Sequence, residues 1–321
     1  MMRMKVIHHW DTDGIASAAK LARIFDPRMF QNVSPPIGDF SFDDRIREVL
    51  GSEDDIFVVD LNLPHLLEGM DKKVTFIDHH VQDRITNDKV VHINPLVEGA
   101  SAEEFPSATT VISQRYGSWD LLSLLGAVGD VGEKAFLLEP LKRVMEDQEL
   151  PRDEVSEMVR LIDSNYITMD RPGVERAVDI LRRGGPEEIL NNGEWKEKAH
   201  SIDQTMDEAL SRVEEFHGFA YIDYSSPYNI ISKLARKATW EMGYPGSLVI
   251  NRDFNGVVQT YLRVDDSTAE EIDIPSLIRE IKKMGANAGG KKVVMGSFYH
   301  PSLTETVLSV IKKEITNRKE K

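Results

Sequence analysis

With 321 residues, 41% of them apolar and 29% charged, the chain has the length of two ordinary domains and the composition of a soluble globular protein. It has no cysteine, which excludes disulfides, thiolate zinc sites and a cysteine nucleophile and accords with a cytoplasmic protein; no apolar run approaches the roughly 20 residues of a membrane span, and the opening MMRMKVIHHW lacks a signal peptide's apolar region and cleavage site. The net charge of −15 weighs against a nucleic-acid partner, but it is unevenly spread: the residues from Gly218 onward sum to +3 and the rest to −18, so an acidic half can hold cations while a mildly basic half receives an anion.

Along the chain, Val6-Ile7-His8 reads as a strand and Gly14 to Phe25 as a helix. Ile56 to Val59, Val74 to Ile77 and Val90 to Ile93 are further short apolar runs. Strands alternating with helical segments predict βαβ units in a mostly parallel sheet with helices on both faces. Leu121 to Leu190 reads as mainly helical, with breakers at Gly184-Gly185-Pro186 and Asn191-Asn192-Gly193. A charged helix over Glu194 to Phe216 follows. The C-terminal part then changes character. Phe219 to Ile222 is a strand, Ser247 to Ile250 and Val257 to Val264 form a hairpin around Asn255-Gly256, and Ile274 to Met284 and the chain end are helices. The pattern predicts an α/β domain over residues 1–192, a linker helix over 193–217 and a smaller α+β domain over 218–321.

Four clusters carry chemistry. His9-Trp10-Asp11-Thr12-Asp13-Gly14 lies where a strand gives way to a helix, and ligands collect outside the carboxyl ends of parallel strands. Val58-Val59-Asp60-Leu61-Asn62 and Phe76-Ile77-Asp78-His79-His80 also end predicted strands, and Gly126-Ala127-Val128-Gly129-Asp130-Val131-Gly132 surrounds one carboxylate with small residues. Taken singly, an Asp after a strand also serves as a helix cap. Together the clusters supply several carboxylates and imidazoles without thiolates. Such a donor set suits Mn²⁺ or Mg²⁺ and also takes Fe²⁺, Co²⁺ or Zn²⁺. His8 points to the opposite strand face from His9 and reads as structural.

In this order, HWDTDG, VVDLN, IDHH and GAVGDVG resemble the four motifs of the DHH phosphoesterase family, which includes RecJ exonucleases, nanoRNases, cyclic-dinucleotide phosphodiesterases and manganese-type inorganic pyrophosphatases. The resemblance spans the first 130 residues, and Asn94-Pro95 adds to it. It implies a two-metal site with two Mn²⁺ per chain, Mg²⁺ or Co²⁺ as substitutes: His9 and Asp11 on one metal, Asp13, His79 and Asp130 on the other, and Asp60 bridging. It implies that His80 faces the scissile phosphate and that Asp78 orients a histidine. More loosely, Tyr261-Leu262-Arg263 and the loop Ala288-Gly289-Gly290-Lys291-Lys292 resemble the strand and Gly-rich loop of DHH-associated domains, with Lys291 where the family has His. Arg263, Gly289, Gly290, Lys291 and Lys292 are therefore the substrate-binding candidates, against the alternative that both lysines are ordinary surface residues.

The resemblance implies a phosphodiester hydrolase, closest to short archaeal RecJ-like exonucleases and nanoRNases, cutting single-stranded RNA or DNA with 3′→5′ polarity. Replication or repair proteins are further partners, and no membrane is involved. Two rivals stand beside it. One is a phosphatase of cyclic dinucleotides, 3′,5′-bisphosphates or pyrophosphate, although pyrophosphatases use a longer H-x-x-x-D-x-D spacing. The other is a non-catalytic replication scaffold, although this chain keeps all six metal ligands.

Overall fold

The structure is a computed structural model describing residues 3–39 and 41–318. Residues 319–321, part of the chain end predicted to be helical, lie outside the described residues. The chain divides into two compact units, residues 1–199 and 200–321.

The first unit is built on a five-stranded sheet of β1 (Arg3–His8), β2 (Met29–Val33), β3 (Asp55–Val59), β4 (Val74–Ile77) and β5 (Val90–Ile93), in spatial order β2-β1-β3-β4-β5. Every pairing is parallel. Alternate strand residues face opposite layers, as the pleat requires. Met4, Val6, Phe57, Val59 and Ile77 pack into a large helical layer, whereas Ile7, Ile56, Val58, Val74 and Phe76 face a smaller one. Strands buried on both faces become continuously apolar, which is why they were legible. The helices are α1 (Thr12–Phe25), α2 (Asp44–Leu50), α3 (Pro64–Leu67), α4 (Ala108–Tyr116), α5 (Leu121–Val131), α6 (Glu139–Asp147), α7 (Arg152–Ile167), α8 (Arg171–Arg183), α9 (Pro186–Leu190) and α10 (Gly193–Leu210). Trp195 and Ala199 of α10 join the larger core. No helix among the described residues is long and apolar enough to cross a membrane.

The register of the sheet aligns the strand ends. His8 pairs with Val59, Val59 with Ile77 and Ile77 with Ile93. The next residues, His9, Asp60, Asp78 and Asn94, therefore leave the sheet side by side at its carboxyl edge.

The second unit carries a six-stranded sheet of β6 (Glu214–Phe216), β7 (Phe219–Tyr224), β8 (Gly246–Phe254), β9 (Val257–Val264), β10 (Asn287–Lys291) and β11 (Val294–Tyr299), in order β10-β11-β9-β8-β7-β6. Only β7 and β8 pair in parallel. One face packs on α12 (Ile274–Lys283) and α13 (Thr304–Asn317). On the other face α11 (Ile231–Arg236) covers β8, with Ser247 Oγ donating to the Ala235 carbonyl. The turn Asn255-Gly256 has φ of 53° and 89°, the left-handed pair of a two-residue hairpin.

Two expectations need correction. The predicted helix over Glu194 to Phe216 ends at Leu210, and Glu214–Phe216 is the edge strand β6. His217 and Gly218, with φ of 50° and 83°, form a second two-residue hairpin turn that the charged run concealed. The predicted Gly-rich loop Ala288 to Lys292 is largely strand β10, with Lys292 in the turn that follows. Its glycines permit close approach, since a Cβ on Gly290 would run into the Val294 carbonyl of β11. The strand Met29–Val33 and the helices α2, α4 and α11 were not anticipated.

One buried pair ties together α1 and the N-terminus of α5, the two helices that carry Asp13 and Asp130. Lys20 of α1 is fully buried and bonds Asp120, the N-cap of α5, at 2.7 Å. Burial pulls the Lys20 ammonium below its ordinary range, and Asp120 opposes that shift. Removing the partner strands a buried cation, which costs about 3–5 kcal/mol, whereas replacing both members by apolar groups is close to neutral. Asp120→Ala should therefore destabilise the protein by about 3 kcal/mol or more in urea unfolding, and adding Lys20→Met to it should recover most of that loss.

Candidate metal centre

The sheet edge gathers the candidate side chains. Asp11 caps α1, accepting from Gly14 N at 3.1 Å, while His9 Nδ1 lies 2.7 Å from Asp11 Oδ2 and 3.8 Å from Asp60 Oδ2. A Cβ on Gly14 would strike the His9 backbone, so the turn needs glycine there. Asp13, one residue into the helix, is fully buried. It accepts from two backbone donors at the start of α4, Ala108 N at 2.5 Å and Thr109 N at 3.0 Å. A side chain on Gly126 of α5 would occupy the space of Asp13 and Thr109. Asp130 projects from the last turn of α5.

Asp60 is buried and sits at φ 57°, a left-handed conformation that Asp tolerates better than most residues. His79 Nε2 lies 3.3 Å from Asp60 Oδ1 and 3.0 Å from Asp130 Oδ2, close enough for ionic attraction but without hydrogen-bond alignment. Asp60 Oδ2 is likewise buried without a hydrogen-bond partner. Among the described residues three groups of donor atoms lie within 4.8 Å of one another: His9, Asp11 and Asp60; Asp13, Asp60, His79 and Asp130; and Asp60, Asp78, His79 and His80, in which Asp78 and His80 already bond each other. Asp60 belongs to both of the first two groups and to the third. Unpartnered buried polar atoms are expensive, and a mixed carboxylate–imidazole set suits hard or borderline divalent cations. These residues fit bound divalent ions.

Asp78 does something else. Fully buried, its Oδ1 accepts from His79 N at 2.8 Å and from His80 Nδ1 at 2.7 Å, while Oδ2 accepts from Gln82 Nε2 at 2.7 Å. Asn94 Nδ2 holds the His80 carbonyl at 2.8 Å. His80, its side chain 40% exposed, is thus gripped through Nδ1, a bond that does not engage Nε2. His8 is buried and bonds Asn32 Oδ1 at 3.0 Å, away from this cluster.

The electrostatics express crowding. Burial, reinforced by Asp130, raises the Asp13 carboxyl to about 7. Burial and the charges of Asp13 and Asp11 raise Asp60 well above the usual carboxylate range. Burial raises Asp130 also. Against the cost of burial, His9 holds Asp11 down to about 2. Burial opposes the His79 cation too, but Asp130 and Asp60 outweigh it and push the imidazole up to about 12.

In the second unit, Arg263 of β9 and Lys291 of β10 flank Val294 in one cross-strand row, and Gly289 lies opposite Gly296. Lys292 is ion-paired with Glu270. His200, His217 and His300 are exposed. The sequence reading missed the α4 donors, although Ser107-Ala108-Thr109-Thr110 is a capping box that marks a helix start. It also missed Asp163 of α7, which accepts from Thr12 N at 3.1 Å and Thr12 Oγ1 at 2.7 Å and so fixes the turn between Asp11 and Asp13. With the two residues 151 positions apart, no local pattern announces that contact.

Residues 3–121, within the first unit, match the DHH family, N-terminal domain. Solved structures share the fold. RecJ from Thermus thermophilus in complex with Mn²⁺ superposes with a TM-score of 0.70 at 17% identity, over 98% of this chain and 52% of that one, so the chain spans about half its length. Exonuclease RecJ bound to manganese gives 0.68 at 17% identity, over 98% and 90%. The pGpG-specific phosphodiesterase PggH from Vibrio cholerae gives 0.56 at 15% identity, over 98% and 99%. The chain has the RecJ-like DHH fold, a parallel five-stranded sheet followed by a second sheet. No curated protein sequence matches it.

The crowding has a measurable consequence. A carboxyl raised by folding contributes stability below its unfolded value near 3.8 and loses that contribution as pH rises through the folded value, about 7 for Asp13. The chelator-treated protein should therefore lose thermal stability between about pH 4 and pH 7. Asp60→Asn, which keeps a residue tolerant of positive φ while removing a charge, should flatten that fall. Melting curves across the pH range check both; an unchanged slope in the variant would mean that Asp60 does not share in the repulsion.

Proposed function

We propose that the chain is a metal-dependent phosphodiester hydrolase that removes nucleotides from the 3′ end of single-stranded RNA or DNA, using two divalent ions per chain, Mn²⁺ ahead of Mg²⁺ or Co²⁺. The observation that carries the reading is the membership of Asp60 in both donor groups. His9, Asp11 and Asp60 would hold one ion, and Asp13, Asp60, His79 and Asp130 the other. Two such ions neutralise charge on a phosphate and lower the pKa of water.

The chain's own residues do the remainder. Asp60 offers an oxygen to each donor group. Asp78 fixes His80 through Nδ1, leaving Nε2 to hold a phosphate oxygen or to pass a proton to the departing group. In the second unit, Arg263 can fork two hydrogen bonds to a phosphate, and Lys291 adds point charge beside Gly289 and Gly290. Lys292, already paired with Glu270, is the weakest of these candidates. Support for a strand substrate comes from the neighbours called RecJ, both with manganese and one called an exonuclease.

A second reading, hydrolysis of a linear dinucleotide, is favoured by the likeness to a pGpG-specific phosphodiesterase along 99% of that chain. Strands labelled at either end, RNA and DNA in parallel with Mn²⁺, separate the two. A ladder shortening from the 3′ end supports the exonuclease, and cleavage of dinucleotides alone supports the second reading. Full activity in excess chelator would overturn the metal-dependent reading altogether. His80→Ala should lower kcat by about 10²–10⁴, the usual size of a proton-transfer or charge-stabilising contribution, with metal content unchanged by elemental analysis.

A further inference from the structure

The second sheet leaves part of one face bare. Beyond α11, three strands present alternate residues in cross-strand rows: Tyr261, Gly296 and Gly289 in one, Phe298 and Asn287 in the next, and Arg263, Val294 and Lys291 on the other side. A Cβ on Gly296 would lie 3.5 Å from the Tyr261 ring, so that ring rests against a position without a side chain. Over Gly289 there is open space. The result is a groove of about 350 Å³ whose lining includes Tyr261, Asn287, Gly289, Gly290, Gly296 and Phe298. Beside it Trp240 is 62% exposed, with the Arg263 guanidinium 4.7 Å from its ring centre, and Phe298 is 41% exposed. Arg263 Nε is buried without a hydrogen-bond partner.

A single exposed aromatic is ordinary. Here, however, exposed rings, a guanidinium stacked on one of them and a lysine share one face with a floor of glycines. Aliphatic or lipid chains would need a broad apolar surface and have no use for the cations. Flat rings carrying anionic links fit, because any base offers a π-face to an aromatic ring and the cations meet the phosphates between.

We infer that Trp240, Tyr261 and Phe298 form a stacking platform for the unpaired bases of a single strand, a role distinct from the phosphate contacts proposed for Arg263 and Lys291. The inference builds on the hydrolase reading only in naming the strand. The platform grips bases with little regard to sequence and excludes duplex, whose bases are already stacked.

The test measures binding of fluorescein-labelled oligo-dT of about 12 nucleotides by the full chain in chelator, beside an abasic strand with the same phosphates and a duplex of the same length. Wild type should bind oligo-dT at least about ten-fold more tightly than either. Trp240→Ala and Phe298→Ala, both at exposed positions, should each weaken oligo-dT binding about ten-fold or more and leave the abasic strand unchanged, while Trp240→Phe recovers most of the loss. Equal binding of oligo-dT and the abasic strand by wild type, or wild-type affinity in both alanine variants, would overturn the platform. Wild-type cleavage of bis(p-nitrophenyl) phosphate with Mn²⁺ is measured separately. Base-dependent binding without that cleavage would sink the hydrolase reading and keep the platform, and cleavage without base-dependent binding would do the reverse.

Discussion

Like charges held together inside a protein repel, and the first unit concentrates that repulsion at one place. Asp11, Asp13, Asp60 and Asp130 meet at the carboxyl edge of a parallel sheet, where burial removes the water that would screen them. Burial, with the neighbouring carboxylates adding to it, raises Asp13, Asp60 and Asp130, so that without cations protons take their place. His79 answers in the opposite direction, holding its proton against burial because carboxylates surround it. A cluster this costly persists only where the surrounding fold compels it, and its free energy would be recovered on binding cations.

The fold does the compelling through register and anchoring. Aligned strand ends set His9, Asp60 and Asp78 side by side. Asp13 is pinned by the first amides of α4, whose partial positive charge favours a carboxylate. Asp163 clamps Thr12 between the two carboxylates of the first turn. Asp78 contributes by orientation, spending both oxygens on the DHH turn and on Gln82. Asp11 and Asp13 are thus held by backbone amides and cannot relieve the repulsion by swinging away.

Much of this was legible in the sequence, for particular reasons. Strands buried on both faces must be continuously apolar, so β1, β3, β4 and β5 stood out, and a carboxylate after each of three strands pointed to the sheet edge. The edge strand β2 was hidden because Gln31 and Asn32 break its apolar pattern. β6 was hidden because its two glutamates extend the charged run of the preceding helix. β10 was hidden because Gly289 and Gly290 read as breakers, although here they allow close strand approach. The contact between Asp163 and Thr12 is purely tertiary, so no local pattern carries it.

The account stands or falls on Asp60 as the donor common to both groups. The most direct measurement is manganese bound per chain, by equilibrium dialysis and elemental analysis near neutral pH, in the wild type and in Asp60→Ala. The account predicts two ions in the wild type and loss of occupancy at both sites in the variant. An Asp60→Ala protein that still holds two ions at wild-type affinity, or that loses one and keeps the other unweakened, would contradict it.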